Sequence, residues 1–243
     1  MIADPLPLAE AVVRPVRGHH AFEACVEQLA TAIRLGVYPF GSTLPSEREL
    51  AERLEVSRAT LREAMAALRT AGLVETRRGR GGGTVVTMKP QGRSARAAGR
   101  TTSKQRADWL DALAFRRMVE PGAAALAASR ALDDRARATV EAAHAAVSGA
   151  SSRGRHRQAD SRFHLTIASM SGSPRSVEAV TSVQASLHEM LSAIPVLQTN
   201  ISHSDTQHAA LVRAVLDGRP DRARRTMEEH CDDTAALLRG LLG

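Results

Sequence analysis

Residues 46–72, SERELAERLEVSRATLREAMAALRTAG, set two amphipathic helical patterns on either side of a very short break around Glu55 and Val56. Few folds accommodate that arrangement. Ser46, with Glu49 three residues later, reads as a capping box, and Leu50 and Leu54 supply a buried face about two turns long. Ser57 is placed to cap a second helix, whose apolar stripe is Leu61, Met65 and Leu68 and whose stop is Gly72. Upstream, Phe22, Val26, Leu29 and Ile33 fall at helical spacing, ended by Gly36, Pro39 and Gly41. The spacing predicts three helices, the last two forming a helix-turn-helix.

The third helix carries Arg58, Thr60 and Arg62 in its first turn, while its apolar stripe begins only at Leu61. An exposed helix start of this kind could enter a major groove, where arginine donates two hydrogen bonds to guanine and hydroxyls hold phosphates. The following LVETRRGRGGGTVVT reads as two short strands around a glycine-rich basic tip of Arg77, Arg78, Gly79 and Arg80, a wing. Scattered arginines ordinarily just solvate a surface. Their order and spacing here favour DNA binding instead.

The stretch LPSERELAERLEVSRATLREAMAALRTAGLVETRRGRGG resembles, over nearly its whole length, the signature of the GntR-type winged helix-turn-helix regulators. The resemblance implies that Arg48, Arg58 and Arg62 contact bases or phosphates. It gives Ser57 and Thr60 hydroxyl contacts to the DNA backbone, and makes Gly79 the wing-tip glycine, flanked by Arg78 and Arg80. Ala59 stands where some members carry threonine, which removes one polar contact.

Charge divides along the chain in the same way. Residues 1–107 hold 17 Lys and Arg against 10 Asp and Glu, and the remaining residues hold 16 of each. The whole excess of +7 is therefore N-terminal, as expected if one half meets a polyanion. Residues 89–106 are rich in Gly, Ser, Thr and Arg, with six basic residues and no acid, and read as a basic flexible tether that could add sequence-independent attraction to DNA. The expected organisation is a tail over 1–16, a winged helix-turn-helix over 17–88, the linker over 89–106, and a helical domain over 107–243. No run of about 18 apolar residues and no signal-peptide pattern occurs, so a cytoplasmic protein without a membrane partner is expected. Two cysteines, Cys25 and Cys231, have no zinc-knuckle spacing and read as reduced packing residues.

Beyond Asp108 the patterns are helical at about 107–131, 133–149, 154–171, 174–197, 203–218 and 220–241, and only six aromatic residues occur in 243. The fold class is mainly α, with a C-terminal antiparallel bundle of six to seven helices whose core includes Leu211, Val215, Ala223, Met227 and Leu237. His164, His208 and His230 each lie on an apolar stripe, and Asp160 shares the His164 face one turn away. A carboxylate aimed at a core is costly unless a cation or several donors meet it. A single buried histidine is ordinarily a hydrogen-bonded core residue, but one aspartate and three histidines from three helices together point to a metal site.

DSRFH and the later QHAALVRAVLDGRPDRARRTMEEH resemble the ligand-binding helical (FCD) domain of the FadR-type branch of the same family, over about residues 108–240. That resemblance implies a divalent metal on Asp160, His164, His208 and His230. Zinc suits three imidazoles and a carboxylate, with nickel or manganese as alternatives. Arg116 matches an arginine common in this domain and could pair with the carboxylate of a small organic acid through its planar fork; pairing with Glu120 one turn on is the competing reading. Gln184, His188 and Asn200 are weaker candidates for the pocket wall. The expected protein is a non-enzymatic regulator, a repressor by analogy, that binds a pseudo-palindromic operator in double-stranded DNA as a homodimer and responds to a carboxylate effector. A metal that is itself the signal, or purely structural, remains open. A metallohydrolase is disfavoured because no second buried acid stands at a telling spacing.

Overall fold

The computed structural model describes residues 7–16, 21–77, 83–90, 102–193 and 198–242. The chain forms two compact units, one of them Pro7–Pro90. Ten helices and one two-stranded sheet occur among the described residues.

In the first unit, α1 (Leu8–Val12), α2 (Ala21–Arg34), α3 (Glu47–Leu54) and α4 (Arg58–Thr70) precede β1 (Val74–Arg77) and β2 (Gly83–Val86). The capping box forms as expected: the Ser46 hydroxyl accepts from the Glu49 N–H, and the Glu49 carboxylate accepts from the Ser46 N–H. Glu55 then turns the chain in the left-handed region, at φ 54°, and Ser57 caps α4 by accepting from the Thr60 N–H. The strands pair antiparallel from Val74↔Val86 to Arg77↔Gly83, and Thr43 adds a bridge to Val85. Gly83 is required at the mouth of β2: its φ is 153°, and a Cβ there would stand 2.9 Å from the Thr43 methyl.

Two expectations for this unit are corrected. The α2 stripe is not led by Phe22 and Val26, since Phe22 is exposed. Cys25, Leu29, Ala32 and Ile33 are buried instead, because Cys25 packs as a small hydrophobe at the same 3.6-residue period. The stretch expected as a tail contains α1, whose Ala11 and Val12 are buried with the adjoining Val13, and Val16 N–H donates to Leu54 C=O. A five-residue helix is too short to show periodicity.

The second unit comprises α5 (Ser103–Ala128), α6 (Asp134–Ser148), α7 (Arg153–Met170), α8 (Pro174–Ala193), α9 (Gln198–Leu216) and α10 (Pro220–Leu242). α5 packs against α10, α8, α7 and α9, so the inward faces of these helices surround one interior. Its start lies inside the segment read as linker, because Thr102 caps it by accepting from the Gln105 N–H, a T-x-x-Q pattern that the basic composition obscured. One core cluster joins Val140, Phe163, Ile167, Leu211, Val215, Ala223 and Met227, and a second joins Trp109, Leu113, Met190 and Leu238. Leu238 rather than Leu237 completes the α10 stripe, in phase with Met227, Cys231 and Ala235.

Candidate functional site

On the first unit, the exposed start of α4 presents Arg58, whose side chain has no ion pair among the described residues. Arg62, one turn on, faces Glu47 at 3.6 Å with its side chain 70% exposed. Arg48 on α3 pairs with Glu52 at 3.0 Å, also on the surface. Exposed pairs of this kind contribute little and exchange readily for a phosphate. The Ser57 and Thr60 hydroxyls lie 2.8 Å apart, so the cap also fixes their direction. The structure thus brings Arg48, Ser57, Arg58, Thr60 and Arg62 to the surface of two consecutive helices. Arg78, Gly79 and Arg80 lie outside the described residues. Arg77, at the end of β1, holds Glu75 at 2.6 Å.

In the second unit, α7, α9 and α10 deliver His164, His208 and His230 to one point: a ligand nitrogen from each lies within 4.8 Å of the others. The rings pack against one another, with centroids 4.7 to 5.4 Å apart, and none is more than 4% exposed. Burial lowers the His208 imidazole to about 3, with Asp160 opposing the shift. Burial also holds His230 well below its ordinary value, and His208 and Arg116 add to the effect. Both rings are therefore neutral near pH 7, the form that offers a lone pair to a metal.

The outward contacts of the rings select which nitrogen is free. His230 Nδ1 meets Gln207 Oε1 at 3.0 Å, and Gln207 Nε2 donates to Asp233 Oδ2 at 2.7 Å, which in turn lies 2.9 Å from His203 Nε2. Because the Gln207 oxygen only accepts, His230 carries its proton on Nδ1 and leaves Nε2 for a ligand. His164 Nδ1 lies 2.9 Å from Glu120 Oε2 but out of line for a hydrogen bond, and both its ring nitrogens are buried with no hydrogen-bond partner among the described residues. His208 Nδ1 is similarly unpartnered. Asp160 stands at the rim, its side chain 15% exposed and Oδ1 3.5 Å from His208 Nε2. Asp160 would add a carboxylate to the three imidazoles as a ligand for a divalent ion. Three imidazoles, a carboxylate and unsatisfied buried nitrogens fit a divalent cation.

Glu120 corrects the expectation that no second acid is buried. It is 2% exposed and shares Oε2 between Arg116 Nε, at 3.1 Å, and His164, while Oε1 accepts from Gln184 Nε2 at 2.7 Å. Burial alone would raise its carboxyl, but Arg116 and His164 outweigh that and hold it well below the carboxylate range. Engaged on both oxygens, it is poorly placed as a general base. Arg116 does pair with Glu120, and its Nη1 remains buried without a hydrogen-bond partner among the described residues. The nearby Cys231 thiol is pushed up to about 12 by burial and stays protonated. Gln184 is fully buried and His188 half-buried; the Asn200 side chain lies outside those described. Sequence reasoning missed Gln207, named Glu120 only as a partner for Arg116, and named Gln184 only as a weak candidate for the pocket wall. The only signal was position, one turn from Arg116 and one residue before His208.

Residues 22–86 match the family model for bacterial regulatory proteins of the gntR family, and residues 111–233 match the FCD domain. The RmpR transcriptional regulator of Mycobacterium gastri is 33% identical over 94% of this chain and 84% of its own. The chain is a GntR-family regulator with an FCD domain. The Glc operon transcriptional activator of Escherichia coli K12 is 30% identical over 86% of this chain and 85% of its own, and the transcriptional repressor NanR of Klebsiella aerogenes is 28% identical over 94% and 89%. Among solved structures, E. coli McbR/YncC shares the fold with a TM-score of 0.54 at 16% identity, covering 92% of this chain and 99% of its own. This GntR-family protein is a DNA-binding transcriptional regulator, and its relatives are regulators rather than enzymes. No helix among the described residues is long and apolar enough to cross a membrane.

Proposed function

We propose that this regulator senses a small carboxylate at a divalent metal centre in its FCD domain and transmits occupancy to its operator affinity. The observation that carries the reading is the convergence of His164, His208 and His230 within 4.8 Å, with buried nitrogens lacking a partner. Asp160, His164, His208 and His230 would hold the ion, zinc first by ligand chemistry. A bound cation supplies a Lewis-acidic point to which an effector carboxylate can add. Arg116 Nη1, a charged donor left unsatisfied in the interior, would take the other end of that carboxylate.

In this reading residues 17–88 bind DNA, the segment from 89 to the start of α5 tethers, and the helical unit from α5 onward binds effector and dimerises. Two copies read the halves of a pseudo-palindromic operator through Arg48, Ser57, Arg58, Thr60 and Arg62, with Arg78, Gly79 and Arg80 at the wing tip. The effector acts by binding two arrangements of the helical domain unequally. Repression, relieved by effector, is the sense proposed; NanR is a repressor among the relatives, and the Glc activator is the contrary precedent.

The test is metal content by plasma mass spectrometry on protein purified without a metal-affinity tag, beside His164→Ala and His230→Ala. One metal per chain, lost in both variants, is the expected result. Wild-type protein that stays metal-free after exposure to zinc, nickel and manganese would overturn it.

A further inference from the structure

α9 and α10 run antiparallel, with His203 against Asp233 and Gln207 against His230. Their buried faces carry His208 and His230, and on the exposed side of the same seam they line a groove of about 420 Å³. Sites for small metabolites occupy about 300–1,000 Å³. α10 supplies Arg222, Arg225, Thr226 and Glu229, at spacings of three and four and therefore on one stripe, and α9 supplies Thr206 and Gln207.

The groove is polarised along its length. Arg222 and Arg225 stand at one end and Glu229 at the other, and a rise of 1.5 Å per residue sets Arg222 about 10 Å from Glu229 along the helix axis. Neither arginine holds an ion pair among the described residues, although Glu229 lies one turn from Arg225. Arg222 falls in the first turn of α10, where the helix dipole favours an anion and disfavours a cation. Two unpaired guanidinium groups one turn apart carry two positive charges and more donors than one carboxylate can accept. A phosphate dianion with three terminal oxygens matches both. At the far end Glu229 repels a second phosphate, which disfavours a nucleic-acid strand, and accepts from hydroxyl groups. The Thr206 hydroxyl donates to Ser202 C=O at 3.1 Å and leaves its oxygen to accept.

We propose that this groove binds a small phosphorylated metabolite bearing hydroxyl groups, and that Gln207 passes its occupancy to the metal centre. The phosphate lies on Arg222 and Arg225, and the hydroxyls face Glu229 and Thr206. Gln207 forms part of the groove wall and meets His230 Nδ1 at 3.0 Å, so an occupant that holds or turns the amide acts on a candidate metal ligand through one hydrogen bond. The coupling, unlike the groove itself, rests on the metal reading given above. It is mutual: the factor by which the phosphate compound changes metal affinity is the factor by which metal changes affinity for the phosphate compound. The helical unit then reads two chemically different ligands, a carboxylate at the ion inside the bundle and a phosphate ester on its surface.

The experiment is isothermal titration calorimetry on the full chain, with and without zinc, using glucose 6-phosphate, inorganic phosphate and glucose as probes. Glucose 6-phosphate is expected to bind, inorganic phosphate to bind more weakly, and glucose not to bind. Arg222→Ala and Arg225→Ala, with unchanged helical circular dichroism, are each expected to weaken both phosphate compounds about tenfold or more, the scale of a lost charge-assisted hydrogen bond. Glu229→Gln is expected to weaken glucose 6-phosphate and leave inorganic phosphate as it was. No binding of either phosphate compound at millimolar concentration, or binding that both arginine variants retain, would overturn the site. Inorganic phosphate binding as tightly as glucose 6-phosphate would overturn the phosphorylated metabolite as its occupant. Zinc affinity, read by chelator competition, is expected to change about fivefold or more when glucose 6-phosphate saturates the groove, and not to change in Gln207→Leu. Zinc affinity indifferent to glucose 6-phosphate in wild type would overturn the coupling alone. A chain that binds glucose 6-phosphate but takes up no zinc would overturn the metal reading and the coupling with it, and would leave the groove standing.

Discussion

A single carboxylate oxygen, Glu120 Oε2, lies 2.9 Å from His164 Nδ1 and 3.1 Å from Arg116 Nε. This one atom orients a candidate metal ligand and the candidate effector-binding arginine together. A carboxylate beside His164 Nδ1 favours the tautomer with its proton on that side, which leaves Nε2 for a ligand, and an anion on Arg116 Nε directs Nη1 elsewhere. Glu120→Gln retains the shape and removes the charge. Metal affinity, measured by competition with a chromogenic chelator, is expected to fall about 10–100-fold, the usual effect of losing an outer carboxylate. Glu120→Ala, which leaves the Arg116 charge buried and unpaired, is expected to lower stability by about 3–5 kcal/mol in urea unfolding. Affinity unchanged in Glu120→Gln would show that the contact does not act on His164.

Metal removal should act on stability as well as on sensing. Three helices contribute the histidines, so an ion bound to the folded chain and not to the unfolded one stabilises it by about 4 kcal/mol at a thousandfold excess over Kd. Scanning calorimetry should show Tm falling on chelation and recovering with zinc. His208→Ala should abolish the recovery, because a central ligand is gone. Asp160→Asn, altering the more exposed ligand at the rim, should weaken it and not abolish it. A Tm indifferent to chelation in metal-loaded protein would contradict a site that ties the helices together.

The sequence made some of this legible and hid the rest for identifiable reasons. Ser46, Glu49, Ser57 and Leu61 act within one or two turns of themselves, so capping and periodicity placed α3 and α4 to within a residue. The three histidines could be placed on buried faces because each sits among aliphatic residues at helical spacing. Their convergence, and the roles of Gln184 and Gln207, depend on how α5, α7, α8, α9 and α10 pack, which no local pattern encodes. Phe22 misled because an aromatic at helical phase usually marks the buried face, whereas here Cys25 fills it. Glu120 was legible only as a neighbour of Arg116, since its second partner lies 44 positions further along the chain.

Arg116 offers a way to separate sensing from metal binding. It is 1% exposed, and the Nη1 group has no hydrogen-bond partner among the described residues, so its replacement by lysine keeps a charge near Glu120 but removes the forked donor. Arg116→Lys should bind metal and operator as wild type does, and should lose the release of operator caused by a saturating carboxylate, read by gel shift. If the variant still responds at the wild-type carboxylate concentration, the effector does not use this arginine.

The DNA-facing residues predict two different signatures in binding data. Arg58 opens α4 with no competing acidic partner among the described residues, so its fork is free for a base edge; Arg58→Ala is expected to cost about 1–3 kcal/mol and to relax preference at one operator position. Arg48 is held beside Glu52 and suits a phosphate, so Arg48→Ala should weaken specific and non-specific DNA alike and reduce the salt slope by about one. Fluorescence anisotropy across a salt series, on operator and scrambled duplexes, distinguishes the two. If Arg58→Ala weakens both duplexes equally, Arg58 holds the backbone and sequence is read elsewhere on α4.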